Sequence, residues 1–174
     1  MVKWMIAGLA IIIIIQRIAE LVLANRNRVW ALKQGACEYG ARHYPLFFLV
    51  HTTWLIGWVF EGGFNNSLAY FWPGWLSLFL FAQVVRYWCI ISLGRYWNTR
   101  VLIIPEGKIV RHGPYRFLKH PNYMAVTLEL FVVPLLFDAV FTAVIATCAN
   151  AALLLLVRIP VEERALLSLR LRMI

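Results

Sequence analysis

Between Gly113 and Tyr123 the sequence reads Gly-Pro-Tyr-Arg-Phe-Leu-Lys-His-Pro-Asn-Tyr, which places Tyr115, Arg116, Lys119, His120 and Tyr123 within nine residues. These side chains supply hydrogen-bond donors, a titratable imidazole and aromatic faces, while Gly113, Pro114 and Pro121 fix the backbone between them. Such a set suits an adenine-containing or otherwise polar cofactor; it equally suits a basic segment that only flanks a membrane helix. Pro121 stands where a following helix would begin, a position that tolerates its missing N–H and leaves the first amides of the helix free to meet an anion. A second charged run, Arg158-Ile-Pro-Val-Glu162-Glu163-Arg164, ends the last long apolar stretch. Arg158 and Glu162 are four apart, share a helical face and are expected to pair. The adjacent Glu162 and Glu163 point about 100° apart and are not expected to converge on a metal. The two runs read as halves of one polar site at a water–lipid boundary.

The elements that must position these runs are membrane helices. Hydrophobic residues make up 62% of the 174 and charged residues only 14%, more apolar surface than a soluble domain of this size can hide. Five apolar stretches, near 3–24, 45–61, 72–93, 122–137 and 139–157, approach the roughly 20 residues needed to cross about 30 Å of hydrocarbon. Only Asp138 separates the last two, which predicts a tight helical hairpin. Lys3 and the following Ile run superficially resemble a secretion signal, but Arg17 and Glu20 follow without a small-residue cleavage pattern, so a retained helix is expected.

The formal charge of +9 follows topology and does not call for nucleic acid. Of 17 Lys and Arg, four lie in 25–44, six in 94–121 and four in 158–174, while the connections at 62–71 and around Asp138 have none. The positive-inside rule then puts the N-terminus outside and the C-terminus in the cytoplasm, most simply of a bacterial inner membrane. Residues 25–44 mix Arg and Lys with Val29, Trp30, Leu32 and Tyr39 and predict a short helix lying in the interface. Trp54, Trp58, Trp72, Trp75, Trp88 and Trp97 read as interfacial anchors. Residues 94–121 are too long for an ordinary connection and predict a β-hairpin-like lid over a pocket, with Val101–Ile104 and Lys108–Arg111 as its arms. Cys37, Cys89 and Cys148 are scattered and read as unpaired thiols. No internal repeat is present, and residues 1–174 read as one domain.

Ionisable residues inside the apolar stretches are Arg17, Glu20, His51, Arg86 and Glu129. Each costs roughly 2.5–3.5 kcal/mol near a helix centre, so each should face the bundle interior and find a partner. Arg17 and Glu20 read as a local pair. Glu129 reads either as a polar contact deep in the pocket or as a structural bond to Arg86 or another helix.

Gly113, Tyr115, Lys119, His120, Pro121 and Tyr123, then a helical hairpin, then Arg158, Glu162 and Glu163 together resemble the isoprenylcysteine carboxyl methyltransferase family, in its short bacterial form, over roughly residues 85–168. Order and spacing carry the resemblance, since either motif alone is weak. It implies an all-α membrane protein of about five transmembrane helices, with a cytoplasmic-side pocket for S-adenosylmethionine formed by the 94–121 loop and the C-terminal helices. S-adenosylhomocysteine would be the product. The acceptor would be a lipophilic anion entering from the bilayer, either an isoprenylcysteine-like carboxylate or an acidic hydroxyl such as that of an alkylpyrone. Tyr115, Lys119, His120, Pro121, Tyr123 and Glu163 would then contact the cofactor, Arg158 and Glu162 would be catalytic, and Glu129 and Arg86 would reach the substrate.

The chain departs from the family where members often have Arg in place of Lys119 and Gly in place of Ala125. It also lacks the longer aromatic tail of eukaryotic relatives, which sets prenylated-protein recognition apart. Membrane sterol reductases carry a similar Gly-x-Tyr…His-Pro-x-Tyr run and use NADPH, phospholipid N-methyltransferases share the general plan, and a lipid-binding scaffold is the non-enzymatic alternative. The Arg158…Glu162-Glu163 ending and the small size favour methyl transfer over reduction, and an N-methyltransferase would need Glu129 or His120 as a base to deprotonate its amine acceptor.

Overall fold

The computed structural model describes residues 1–105, 107 and 109–171, with backbone alone for 168–171. Six helices account for most of it: α1 (Val2–Lys33), α2 (Tyr44–Asn65), α3 (Trp72–Leu93), α4 (Pro121–Leu135), α5 (Val140–Leu153) and α6 (Ile159–Leu171). A π-helical turn, Leu154–Arg158, makes α5 and α6 one continuous rod. Four spans are long and apolar enough to cross a membrane: Val2–Lys33, Ala41–Asn65, Trp72–Tyr96 and Val140–Leu167. The fourth expected segment is also helical, but α4 has 15 residues, about 22 Å, and is shorter than the hydrocarbon layer. The architecture is therefore the expected all-α membrane bundle, with one short inner helix.

The interfacial helix expected at 25–44 does not form. Instead α1 runs unbroken to Lys33, because its buried positions Ile6, Ala10, Ile13, Glu20, Ala24, Asn27 and Ala31 recur at three, four and seven and form one continuous stripe. Asn27 donates to the carbonyls of Gly94 and Trp97, and Asn98 donates back to the Ala24 carbonyl at 2.8 Å. These bonds hold the polar end of α1 against the connection that follows α3. The helix stops at Gly35, whose φ of +78° leaves the helical region.

The predicted β-hairpin within 94–121 is likewise replaced by a longer-range pairing. Strand β2 (Val101–Ile103) pairs antiparallel with β1 (Cys37–Tyr39), in the register Cys37↔Ile103, Glu38↔Leu102 and Tyr39↔Val101. The far arm of the expected hairpin falls partly on Lys108, outside the described residues. The two-stranded patch is reinforced by Arg100 on Glu38 and by the Arg100 guanidinium lying 4.2 Å over the Tyr44 ring.

The core packs α2 and α3 against the α4–α5 hairpin. Trp58, fully buried, stacks on Phe137 at 5.7 Å, and the Trp54 indole donates to the Leu130 carbonyl at 2.9 Å. Trp54, Trp58 and Trp97 are therefore interior packing residues and not the interfacial anchors they suggested. The cysteines are unpaired as expected, but only Cys89 is buried.

The hairpin turn is held from α2. Asp138 adopts a left-handed conformation (φ +54°) and accepts from Ser67 through its carboxylate and from Asn65 through its carbonyl. Glu61 meanwhile caps α5 by accepting from the amides of Phe141 and Thr142. Three buried charges and the half-buried Arg17 complete the interior. Arg17 of α1 meets both Glu20 (2.8 Å) and Glu129 of α4, while Arg86 of α3 grips Glu20 with Nε and Nη2 and approaches Glu129 at 3.6 Å.

Close approach at the hairpin gives a specific expectation. A Cβ added at Gly62 would lie 2.8 Å from Cβ of Phe137, whereas one at Gly63 would meet nothing within 4 Å. Gly62→Val should lower the thermal unfolding midpoint in detergent by several degrees, in line with an overpacking cost of about 1–3 kcal/mol. Gly63→Val should leave it within the error of the measurement, and equal effects would show that the α2–hairpin contact is not tight.

Candidate functional site

The residues between Gly113 and Tyr123 are placed by two local devices. Gly113, at φ +60°, starts a 3₁₀ turn (Gly113–Arg116), and any Cβ there would strike Ser92 at 2.1 Å, so the turn rests directly on α3. That contact delivers Tyr115 inward, within hydrogen-bonding reach of the Cys89 thiol. Burial, with the thiol's influence added, pushes the Tyr115 phenol far above its ordinary value, so it remains neutral. Pro121 then opens α4 as expected, with His120 as the flanking residue.

From the other side comes the π-helical turn. The Ile159 amide reaches five residues back to the Leu154 carbonyl. Pro160, next in line, has no N–H to continue the α-helical pattern. The widened turn carries Arg158 and Glu162 together to the first turn of α4.

Here the expected ion pair is replaced by a three-residue bridge. Among the described residues Arg158 and Glu162 form no direct ion pair; the Tyr123 hydroxyl stands between them, donating to Glu162 Oε2 and accepting from Arg158 Nε at 3.0 Å. The His120 ring stacks on Tyr123 with centroids 5.3 Å apart, and its Nδ1 lies 3.8 Å from Glu162 Oε1. A phenol can donate one proton and accept another bond at once, so it joins a cation and an anion that point at it from opposite sides.

Two cavities meet at this bridge. One, of about 240 Å³, lies under β2 and the following loop and is lined by Tyr96, Tyr115, Lys119, His120 and Glu162 among others. The second, of about 410 Å³, runs between α1 and α2 along mainly apolar side chains, including Ile14, Ile18, Phe47, Phe48 and Leu55. It falls within the roughly 300–1,000 Å³ of small-molecule sites. Trp97, Asn98, Asn122, Tyr123 and Arg158 line both.

The sequence-predicted residues therefore divide. Tyr115, His120, Tyr123, Arg158 and Glu162 come together. Lys119 sits at the rim, with its side chain 86% exposed, 3.7 Å from Glu163, and Glu163 lines neither of these cavities. Pro121 is fully buried and shapes the start of α4 without lining them. Arg86 lines the second cavity, while the buried Glu129 lines neither and pairs with Arg17 and Arg86, which do line the second.

Trp97, Asn98, Asn122, His51 and Asn150 also line these cavities and were not singled out as site residues. The amides and the indole carry no charge signal, whereas His51 was visible as an ionisable residue within an apolar stretch but was given no role in the site. Their one legible sign was being polar or amphipathic beside, or within, apolar runs.

Three buried polar atoms on residues lining the first cavity have no hydrogen-bond partner among the described residues, namely Trp97 Nε1, His120 Nε2 and Asn122 Oδ1, and Arg17 Nε and Arg86 Nη1 on the lining of the second are also without one. Buried polar atoms are seldom left unmatched in a native fold, and these lie on residues that line the cavities.

Most of the chain is shared with known proteins. A protein of Bacillus subtilis (strain 168), the uncharacterized protein YpbQ, is 41% identical over 156 residues, covering 89% of this chain and 92% of its own. An uncharacterized protein of Haemophilus influenzae (strain ATCC 51907 / DSM 11121 / KW20 / Rd) is 28% identical over 156 residues, covering 86% of this chain and 88% of its own. No solved structure matches. The family model for isoprenylcysteine carboxyl methyltransferases matches residues 75–168, a span that opens on α3, contains every residue of the Tyr123 bridge and closes within α6; the chain belongs to the isoprenylcysteine carboxyl methyltransferase (ICMT) family.

Proposed function

We propose that this protein, as its membrane methyltransferase family suggests, transfers the methyl group of S-adenosylmethionine to an oxygen of a lipophilic anion, an isoprenylcysteine-like carboxylate or an acidic hydroxyl such as an alkylpyrone's. The observation that carries the reading is the meeting of a polar cavity and an apolar one at Tyr123 and Arg158.

The polar cavity fits the cofactor chemically. Its unmatched Trp97 N–H donor, Asn122 oxygen and His120 Nε2 suit a nucleoside and an amino-acid group. The Glu162 carboxylate suits a cation, and Lys119 and Arg100 at the margin suit a carboxylate. Bound there, the sulfonium supplies an electrophilic methyl group.

The chain's own work is alignment. A carboxylate or acidic enol is already ionised at neutral pH, so no strong base is required. Arg158 orients the acceptor anion, and its Nε bond to Tyr123 fixes the guanidinium at the junction. The Tyr123–Glu162 bond holds the carboxylate on the cofactor side, where it does not compete for Arg158. Apolar walls from α1 and α2 exclude water, so the anion meets its partner desolvated and in line. Tyr115 packs on Cys89 as a neutral wall of the cofactor cavity, and Glu129 positions Arg17 and Arg86. In this reading the polar end faces the cytoplasm of a bacterial inner membrane.

Calorimetric titration of detergent-purified protein tests the cofactor half. S-adenosylhomocysteine should bind saturably and NADPH should not, and Glu162→Gln should weaken the former at least about tenfold, as loss of a charge-assisted contact requires. Binding of NADPH alone would assign the site to hydride transfer, and binding of neither by a monodisperse sample would favour a lipid-binding scaffold.

The acceptor half is tested with Arg158→Leu. S-adenosylhomocysteine affinity should stay within about threefold, while transfer of labelled methyl into lipid extract should fall by about 100-fold or more, a loss typical of a misaligned reacting group. Parallel losses of both would place Arg158 in the cofactor site instead.

A further inference from the structure

The second cavity is apolar along most of its length, but its inner end is not. On α2 the lining residues Tyr44, Phe47, Phe48, His51 and Leu55 follow one helical face. His51 stands seven residues beyond Tyr44, about 10 Å deeper at 1.5 Å per residue. Arg17 of α1 lines the same cavity.

Arg17 belongs to a balanced set, two guanidiniums (Arg17, Arg86) against two carboxylates (Glu20, Glu129). Its hydrogen bonding is nevertheless incomplete. A guanidinium has five N–H donors, and Arg17 uses Nη1 on Glu20 and Nη2 on Glu129, with 23% of its side chain still open. Among the described residues the His51 side chain makes no hydrogen bond.

An ion network that served only to hold helices together would be sealed from the cavity. This one is not sealed: Arg17, Glu20 and Arg86 line the cavity, and Arg17 Nε has no partner among the described residues at a depth where unmatched polar groups are costly. A second anion does not suit them, because the two carboxylates already balance the charge. An uncharged oxygen does: it accepts from Arg17 and exchanges a hydrogen bond with His51 without burying a further charge.

We propose that the acceptor carries a second, uncharged oxygen function, a ketone, hydroxyl or ether, partway along its chain from the oxygen that is methylated, and that Arg17 and His51 bind it. The inference rests on the reading that this cavity takes the methyl acceptor. It makes Arg17 and His51 specificity-determining residues that touch substrate remote from the reacting atoms.

The test uses the whole protein in lipid nanodiscs and two probes, stearate and stearate bearing a mid-chain ketone, each read by displacement of a fluorescent fatty acid. The ketone should bind at least about tenfold more tightly than stearate, as one added hydrogen bond to a charged donor implies. His51→Phe should cut that preference below about threefold while leaving stearate affinity nearly unchanged, and Arg17→Lys should also cut the preference below about threefold. Equal affinities in the wild type, displacement by neither probe, or a preference that survives both substitutions would overturn the proposal. S-adenosylhomocysteine is titrated alongside: its failure to bind the wild type sinks the methyltransferase reading whatever the probes do, and its normal binding with no ketone preference sinks the oxygen subsite alone.

Discussion

Charges in hydrocarbon have to be matched by other charges of the same chain, and in this protein that requirement fixes the bundle. Arg17 and Glu20 lie on α1, Arg86 on α3 and Glu129 on α4, and none could be left alone at an insertion cost of roughly 2.5–3.5 kcal/mol each. Apolar side chains alone would not set these helices in register, because lipid tails are as apolar as leucine. The bidentate grip of Arg86 on Glu20 sets α3 against α1, and the reach of Arg17 to Glu129 sets α1 against α4. Once those three helices are in register, α2 can cover only part of α1, and the uncovered seam becomes the apolar cavity.

The same logic explains why the polar chemistry sits at the mouth of that seam. α4 is too short to reach both surfaces, so its first turn, with His120, Asn122 and Tyr123, opens where the loops after α3 gather. The β1–β2 pairing draws the chain between Asn98 and Ile104 over this mouth. The π-helical turn brings the C-terminal rod back across it. A neutral phenol at the crossing is well suited to its position, because it bonds Arg158 and Glu162 at once while adding no charge of its own.

Much of this was legible in the sequence where the signal was local. The apolar runs gave the helices, Pro121 marked the start of α4, Asp138 marked the hairpin turn, and the three-residue spacing of Arg17 and Glu20 gave their pairing. What was not legible depended on rotation and register between distant segments. Whether Glu129 would meet Arg17, Arg86 or both is decided by how α1, α3 and α4 turn about their axes. The β1–β2 pair joins three-residue strands more than sixty residues apart, too short to announce themselves. The polar end of α1 was mistaken for an interfacial helix because its Arg and Trp composition is that of one, while the buried stripe through Ala24, Asn27 and Ala31 depends on what packs there. The helical face shared by Arg158 and Glu162 was read correctly, yet the partner between them, Tyr123, comes from another helix.

The central claim is that the polar cavity holds the methyl donor and opens at Tyr123 and Arg158 onto the cavity for the acceptor. A structure of the protein with S-adenosylhomocysteine bound tests it most directly. The account predicts the ligand under β2, in contact with Glu162 and Trp97, with its sulfur directed at the Tyr123–Arg158 junction. A ligand seated between α1 and α2, or with its sulfur turned away from that junction, would contradict it.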